Sequence, residues 1–156
     1  MMEWRKAVME DKLHKIMIKL LEVNEHPDCF VCGRRNHGGL QLDFQLHPDG
    51  GVEAQLCCSE EFQGYPGYLH GGIIASLLDG AMTNCLFAHG KAAMTAELNV
   101  RYFSPIAINQ LLTIRSWVEK SRPRFFVLKA EITSGGILLA QGNGKFMERS
   151  PTPERR

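Results

Sequence analysis

The sequence is short of the features that mark nucleic-acid-binding, secreted and membrane-spanning proteins. Its 156 residues carry 18 basic and 17 acidic side chains. The resulting formal net charge of +1 gives no general case for binding nucleic acid or an anionic membrane. No apolar run approaches the length of a transmembrane helix, and charged residues near the N-terminus exclude the apolar core of a signal peptide. We therefore expect a cytoplasmic protein with no nucleic-acid or membrane partner.

Cysteine is present, but not in the pattern of a disulfide framework. The five cysteines are an odd number and two of them, at 57–58, are adjacent, which favours reduced thiols. Cys29 and Cys32 form one Cys-x-x-Cys pair in a turn-rich loop, and His26 and His37 stand at plausible spacing for two further zinc ligands. A second cysteine pair is missing. A structural loop is therefore the favoured interpretation, and neither a metal nor a cofactor is expected.

Apolar periodicity predicts one α+β domain behind an N-terminal helix. Residues from about 3 to 23 have apolar positions three and four apart among charges, as in a helix packed on its own domain or on a partner subunit. Residues 1–38 would form this helix and the cysteine loop, 39–149 one domain, and 150–156, rich in proline and charge, a disordered tail. Alternating patterns predict strands at 40–46, 52–56, 94–102, 112–118, 126–132 and 138–146, with one long buried helix ending near 88.

Two glycines, Gly71 and Gly72, stand in the first turn of this buried helix. Each costs about 1 kcal/mol relative to alanine, so their presence needs a reason. The first turn of a helix has backbone N–H groups without intrahelical partners, and the positive end of the helix dipole lies there. Residues without side chains let an oxygen approach these groups closely, as an oxyanion site requires.

Helical phase separates the two chemically interesting side chains of this stretch. At 100° per residue, His70 falls on the apolar side and is expected to be buried, whereas Asp79 shares the opposite face with Gly72 and Ser76. His70 and Asp79 are also about 13 Å apart along the axis. Both serve one site only if two copies of the helix meet, which predicts a twofold dimer with two sites.

These residues resemble a known family. His70-Gly71-Gly72 followed by Asp79, together with the run at 62–72, Thr95 and the Asn-Val-Arg-Tyr run at 99–102, resembles the signature of hotdog-fold acyl-CoA thioesterases of the PaaI-like group. The similarity covers roughly 39–148 and is especially to mitochondrial members that act on fatty acyl-CoA. It implies the hotdog fold, a curved antiparallel sheet wrapped around one long helix, and hydrolysis of acyl-CoA to a free acid and CoA.

The resemblance also implies roles for individual residues. Asp79 is the general base or the nucleophile, and burial is expected to raise its pKa. Thr95 positions the attacking water, the Gly71 N–H holds the oxyanion, His70 orients the turn, and Gln63 is a weaker candidate for a second polar contact. Cationic and polar groups suit the phosphates of CoA, and the residues expected at the mouth of the site are Gly72, Asn99, Arg101, Tyr102, Lys120, Arg122 and Arg124. An acyl slot would be lined by Phe62, Tyr65, Leu69 and Met82.

Four functions remain open on the sequence alone. The first is hydrolysis of acyl-CoA, and the second is a non-catalytic acyl-CoA-binding module on the same fold. The Asp79 and Thr95 pair favours hydrolysis, because a binding module gains nothing from a desolvated carboxylate near a thioester. Hydratases of this fold rank third, and a metal-dependent interaction element at Cys29 and Cys32 ranks fourth. The acyl group and the choice between a dimer and a dimer of dimers are not determined.

Overall fold

The computed structural model describes residues 3, 6–10, 12–13, 15–16 and 25–149. Six strands and one long helix make up its ordered domain. They are β1 (Gln45–Leu46), β2 (Val52–Cys57), a short 3₁₀ turn (Glu60–Phe62), the central helix (Gly71–Ala88), β3 (Ala93–Tyr102), β4 (Leu111–Arg122), β5 (Phe125–Ser134) and β6 (Ile137–Glu148).

All six strands join one antiparallel sheet in the order β1-β2-β4-β5-β6-β3. The central helix packs against β2 to β6, and the buried side chains of both layers form one core that includes Leu77, Leu78, Ile114, Leu128 and Phe146. A sheet and a helix, each apolar on one side, cover each other in this arrangement. The predicted α+β hotdog architecture is confirmed, and β3 lies at an open edge of the sheet.

The central helix owes its position to its composition. Its 18 residues have a mean hydropathy of 1.3, which by length and composition alone would suit a membrane span, contrary to our expectation from the sequence. However, 67% of the helix is buried inside the domain, as is usual for a core helix. The helix begins at Gly71 and ends at Ala88, where the backbone N–H of His89 bonds to the carbonyls of Leu86 and Phe87.

The first predicted strand, at 40–46, is wrong over most of its length. Only Gln45–Leu46 pairs with β2, because the preceding backbone bonds elsewhere. The amides of Leu40 and Leu42 donate to the carbonyls of Phe30 and Val31 in the cysteine loop, at 2.8 Å each. Gln41 between them has φ of 48°, which no regular strand accommodates. The apolar and polar alternation nevertheless predicted burial, since Leu40, Leu42 and Phe44 are buried.

The connection between the strands predicted at 112–118 and 126–132 is shorter than the pattern indicates. Strand β4 continues to Arg122, and Pro123 and Arg124 alone form the connection to β5. Arg124 has φ of 61°, and a proline followed by a residue of positive φ is the pattern of a type II turn. A bulge between Val118 and Lys120 maintains the pairing with β5 through the longer strand.

The N-terminal segment is helical at its described positions, 3, 6–10, 12–13 and 15–16, and at residue 25. Apolar side chains on it are exposed within a single chain: Val8, Met9, Leu13 and Ile16. The rest of the helix predicted for 3–23, and the predicted disordered tail at 150–156, lie outside the described residues.

Candidate active site

His70 closes the N-terminal end of the central helix. Its backbone is extended, with φ −63° and ψ 134°, and its Nδ1 accepts a hydrogen bond from the Gly72 amide at 2.9 Å. His70 is exposed, so the predicted burial is wrong. The helical phase did not apply, because the residue is the N-cap and precedes the first helical turn. His70 therefore organises the turn through its side chain and its carbonyl, which accepts from the amides of Ile73 and Ile74.

These bonds leave one amide of the first turn free. The Gly72 amide bonds to the His70 ring and the next two bond to the His70 carbonyl, so the Gly71 N–H has no acceptor among the described residues. It lies at the positive end of an 18-residue helix. The carbonyl of Gly71 is held by the Tyr102 hydroxyl, which donates to it at 2.9 Å. The peptide that follows the predicted oxyanion donor is thus fixed by the last residue of β3.

An apolar cavity of about 580 Å³ opens beside Gly71. Its lining includes Tyr65 and Leu69 of the predicted acyl slot, together with Ile74, Tyr102 and Ile106. Phe62 and Met82, the other two predicted members, do not line it. Phe62 borders a different cavity, and Met82 is fully buried in the core.

A second cavity, of about 420 Å³, lies on the other side of the helix N-terminus. Gln63, His70, Gly72 and Ser76 meet around it. The Gln63 side chain does not point freely into solvent, because its Oε1 accepts a hydrogen bond from the Gly67 amide at 3.1 Å. Gln63 therefore steadies the turn ahead of the helix. The structure therefore brings Gly72 and Ser76 of the helix face together with Gln63 and His70, which the family resemblance singled out.

Asp79 and Thr95 form the other part of the site. The Thr95 hydroxyl donates to Asp79 Oδ1 at 2.7 Å, across from helix to edge strand. Glu97, Asn99 and Arg101 are the alternate residues of β3 that follow Thr95, and they face away from the helix. Strict alternation would therefore point Thr95 away from the helix as well. The register shifts between Thr95 and Glu97, however. This bulge reverses the facing of the strand and turns the Thr95 side chain inward.

Partial burial defines the electrostatics of Asp79. Desolvation raises the pKa of this carboxyl above its ordinary value, and the hydrogen bond from Thr95 opposes the rise. A base with a raised pKa holds a proton more readily near neutral pH than a solvated aspartate does. The folded state therefore binds this proton more tightly than the unfolded state. Ionisation of Asp79 therefore lowers the stability of the fold as the pH rises above the ordinary pKa of aspartate.

Comparisons with known proteins bear on the family of this chain. The family model of the thioesterase superfamily matches residues 66–141. Acyl-coenzyme A thioesterase THEM4 of Rattus norvegicus is 33% identical over 150 residues, which cover 93% of this chain and 65% of that protein. A solved thioesterase superfamily protein has a TM-score of 0.70 at 28% identity, covering 74% of this chain and 60% of the other. The PaaI protein of E. coli, from a phenylacetic acid degradation operon, has a TM-score of 0.75 at 17% identity, covering 91% and 97%.

The chain has the hotdog fold, and its residues 66–141 match the thioesterase superfamily. The family resemblance that rested on the His-Gly-Gly and Asp motif is confirmed. The chain spans 57% and 65% of the lengths of the THEM4 proteins of Bos taurus and Rattus norvegicus that it matches.

The residues predicted to bind CoA do not form one cluster within a single chain. Across the sheet, Thr95 of β3 lies opposite Phe146 of β6, which lies opposite Phe126 of β5, which in turn lies opposite Ser121 of β4. Lys120 and Arg122 flank Ser121, so they are three strands, or about 14 Å, away from Thr95. Asn99 and Arg101 lie further along β3, on the face opposite the central helix. Asn99 donates to Glu97 at 2.8 Å, and Arg101 lies 5.5 Å from the centre of the Phe103 ring. Tyr102 faces the helix and contacts Gly71.

Sequence reasoning missed the contact between the cysteine loop and the helix turn that carries Asp79. Val31 packs on Gly80 so closely that a Cβ there would lie 2.5 Å from Val31 Cγ1. The only sequence signal was a glycine in the middle of a strong helix, which costs about 1 kcal/mol relative to alanine. The loop also contacts the site through Phe30, whose ring meets Phe62 edge-on at 6.3 Å.

Proposed function

We propose that this protein hydrolyses the thioester of an acyl-CoA to a free carboxylic acid and CoA. The observation that carries the proposal is the hydrogen bond of 2.7 Å between Thr95 and the partly buried Asp79 carboxylate. The naming of several relatives as acyl-coenzyme A thioesterases supports CoA as the leaving group. The apolar cavity of about 580 Å³ beside Gly71 suits an acyl chain.

The chemistry follows from the two groups that the helix presents. Asp79 accepts a proton from water as the water attacks the carbonyl carbon, with the Thr95 hydroxyl fixing the orientation of the carboxylate. Negative charge then develops on the carbonyl oxygen, and the Gly71 N–H at the helix N-terminus donates to it. Collapse of the tetrahedral intermediate breaks the carbon–sulfur bond, and the thiolate of CoA takes up the proton.

We further propose that each site is shared between two chains of a homodimer. Asp79 and Gly71 are eight residues apart on one helix, about 12 Å, so one chain cannot present both to one thioester carbonyl. An antiparallel neighbour would place its Gly71 turn beside Asp79 of the first chain. The open edge at β3 and the small Gly72 and Ser76 face next to it leave room for such a neighbour. Pairing of two dimers would give a tetramer.

A non-catalytic acyl-CoA-binding module is the alternative. It uses the same cavity and the same fold but leaves Asp79 without chemistry to perform. The raised pKa of Asp79 argues against it, because ionising a desolvated carboxylate costs stability that binding alone would not recover.

The test is release of CoA from short, medium, long and aromatic acyl-CoA thioesters. The substitution Asp79→Asn keeps the shape and an acceptor for Thr95 but removes the base. We expect a loss of about a hundredfold or more in kcat. Thermal stability should be unchanged or higher, because a desolvated charge is removed.

The matched control is Asp43→Asn, which removes a carboxylate that pairs with Arg34 on the surface. Its turnover should equal that of the wild-type protein. Binding of acyl-CoA by the wild-type protein without any release of CoA would contradict hydrolysis and establish the binding module. Equal turnover by both variants would remove Asp79 from the mechanism.

A further inference from the structure

The cysteine loop brings three soft metal ligands together. His26, Cys29 and Cys32 each offer one donor atom, and the three atoms lie within 4.8 Å of one another. The separation of His26 Nδ1 and Cys32 Sγ is 3.8 Å. In tetrahedral zinc sites, bonds of about 2.3 Å to sulfur and about 2.0–2.1 Å to nitrogen place neighbouring ligand atoms about 3.6–3.8 Å apart. The cluster therefore needs only a small contraction to hold a Zn²⁺ ion.

The backbone of the loop is shaped to present these thiols. The Gly33 amide donates to the Cys29 carbonyl at 2.8 Å, which closes a tight turn around the two cysteines. The Val31 amide lies 3.4 Å from Cys29 Sγ and donates to it, an arrangement that favours the thiolate. A Cβ at Gly33 would lie 2.3 Å from the Cys29 nitrogen, so glycine is required at this position.

The imidazole is also held in place from outside the loop. Its ring packs edge-on against Phe87 of the central helix, with centroids 5.0 Å apart and planes at 86°. The His26 carbonyl accepts from the Cys29 amide at 3.2 Å, which fixes the spacing of the two residues. Cys32 is buried, whereas His26 and Cys29 are partly exposed. One side of the cluster remains open to solvent, where water can supply a fourth ligand.

We propose that His26, Cys29 and Cys32 bind one Zn²⁺ ion whose fourth ligand is a water molecule. His37, which the sequence offered as a further ligand, is not part of the cluster. The ion fastens the cysteine loop to the central helix, since the loop contacts Phe87 through His26 and Gly80 through Val31. The role that we assign to the ion is structural, because its ligands supply no group to the proposed hydrolysis.

The first test measures metal content without reference to activity. The full chain is purified without a histidine tag from zinc-supplemented cells, and its zinc is measured by mass spectrometry. The apoprotein is then titrated with Co²⁺. We expect one equivalent of zinc and, with Co²⁺, the intense visible bands and thiolate charge-transfer absorption of a tetrahedral site. The weak spectrum of octahedral cobalt would overturn the proposal, as would a Cys29–Cys32 disulfide in protein purified without oxygen.

The second test assigns the ligands. Cys29→Ser and His26→Gln should each weaken zinc binding by about a hundredfold in competition with a chromogenic chelator. Cys57→Ser, at an exposed thiol, and His37→Gln, in the same loop, are matched controls that should bind zinc as the wild-type protein does. Unchanged affinity in both ligand variants would overturn the assignment. If a variant fails to fold, the cobalt spectrum of the wild-type protein still decides the proposal.

Discussion

The first turn of the central helix and the turn that carries Asp79 are built in different ways. In the first turn, the contacts that shape the backbone are nearly all local. The His70 ring and carbonyl bond to the amides two to four residues on, while the Phe62 carbonyl and the Tyr102 hydroxyl bond to this turn from outside it. The Asp79 side chain, in contrast, is held by a contact from a distant part of the chain. Its hydroxyl partner comes from an edge strand sixteen residues away.

The cysteine loop adds to this difference. It packs on Gly80, the residue that follows Asp79, and burial is the main cause that raises the pKa of the Asp79 carboxyl. The first turn of the helix therefore supplies a fixed dipole for an oxyanion, whereas contacts from the sheet and the loop determine the pKa of Asp79. A change in the sheet or the loop should therefore alter the base and leave the oxyanion donor intact.

The largest effect is expected from removing the free amide of the first turn. Proline lacks an N–H but is well tolerated at the first position of a helix. The preceding residue, His70, already has the extended backbone that a following proline demands, with ψ 134°. Gly71→Pro should therefore keep the helix and lower kcat for acyl-CoA hydrolysis by about 10²–10³-fold.

Gly71→Ala is its control, because alanine retains the amide. A Cβ at this position would meet the Tyr102 ring at 3.7 Å, which is an ordinary contact. Equal losses in the alanine and proline variants would mean that the glycine provides space rather than a hydrogen bond. Circular dichroism establishes that the helix is intact in each.

A mixed dimer separates the two turns between chains. If Asp79 of one chain works with Gly71 of the other, co-expressed Asp79→Asn and Gly71→Pro chains form heterodimers with one intact site of two. Random pairing makes about half of the dimers mixed, so about a quarter of the wild-type activity should return. Each variant alone remains inactive. No recovery in dimers shown to be mixed by mass spectrometry would place the complete site within one chain.

The sequence predicted the first turn better than its surroundings, for physical reasons. The motif and the helical pattern are local, and so they predicted the bounds of the helix and the strand that follows it. The bulge between Thr95 and Glu97 depends on pairing with β6, which no local pattern records. His70 was misplaced because an N-cap lies outside the helical phase.

The same distinction holds in the fold. Alternation at 40–44 predicted which side chains are buried, but not that the backbone bonds to the cysteine loop instead of β2. Periodicity predicts the side on which a residue lies, but it does not predict the hydrogen-bond partner of the residue's backbone amide. Hence burial was predicted well along this segment and strand pairing was not.

The loop contact beside Asp79 is tested through Gly80. Alanine should favour the helix by up to about 1 kcal/mol, yet its Cβ would lie 2.5 Å from Val31. We expect Gly80→Ala to lower the free energy of unfolding by about 1–3 kcal/mol, since the loop must shift. Adding Val31→Ala should recover part of this loss, a coupling visible in urea denaturation. Strict additivity of the two changes would show that the contact carries no strain.

The smallest effect is expected at the hydrogen bond that tunes the base. This bond lowers the pKa of Asp79, so Thr95→Val should raise that pKa further. Because hydrolysis needs the ionised carboxylate, the acid limb of the kcat/KM profile should move to higher pH. The rate at neutral pH should fall about tenfold, the worth of one hydrogen bond to a charged group. Thr95→Ser keeps the hydroxyl and should leave the acid limb of the profile in place. An equal shift of the acid limb in both variants would assign the effect to packing on the edge strand.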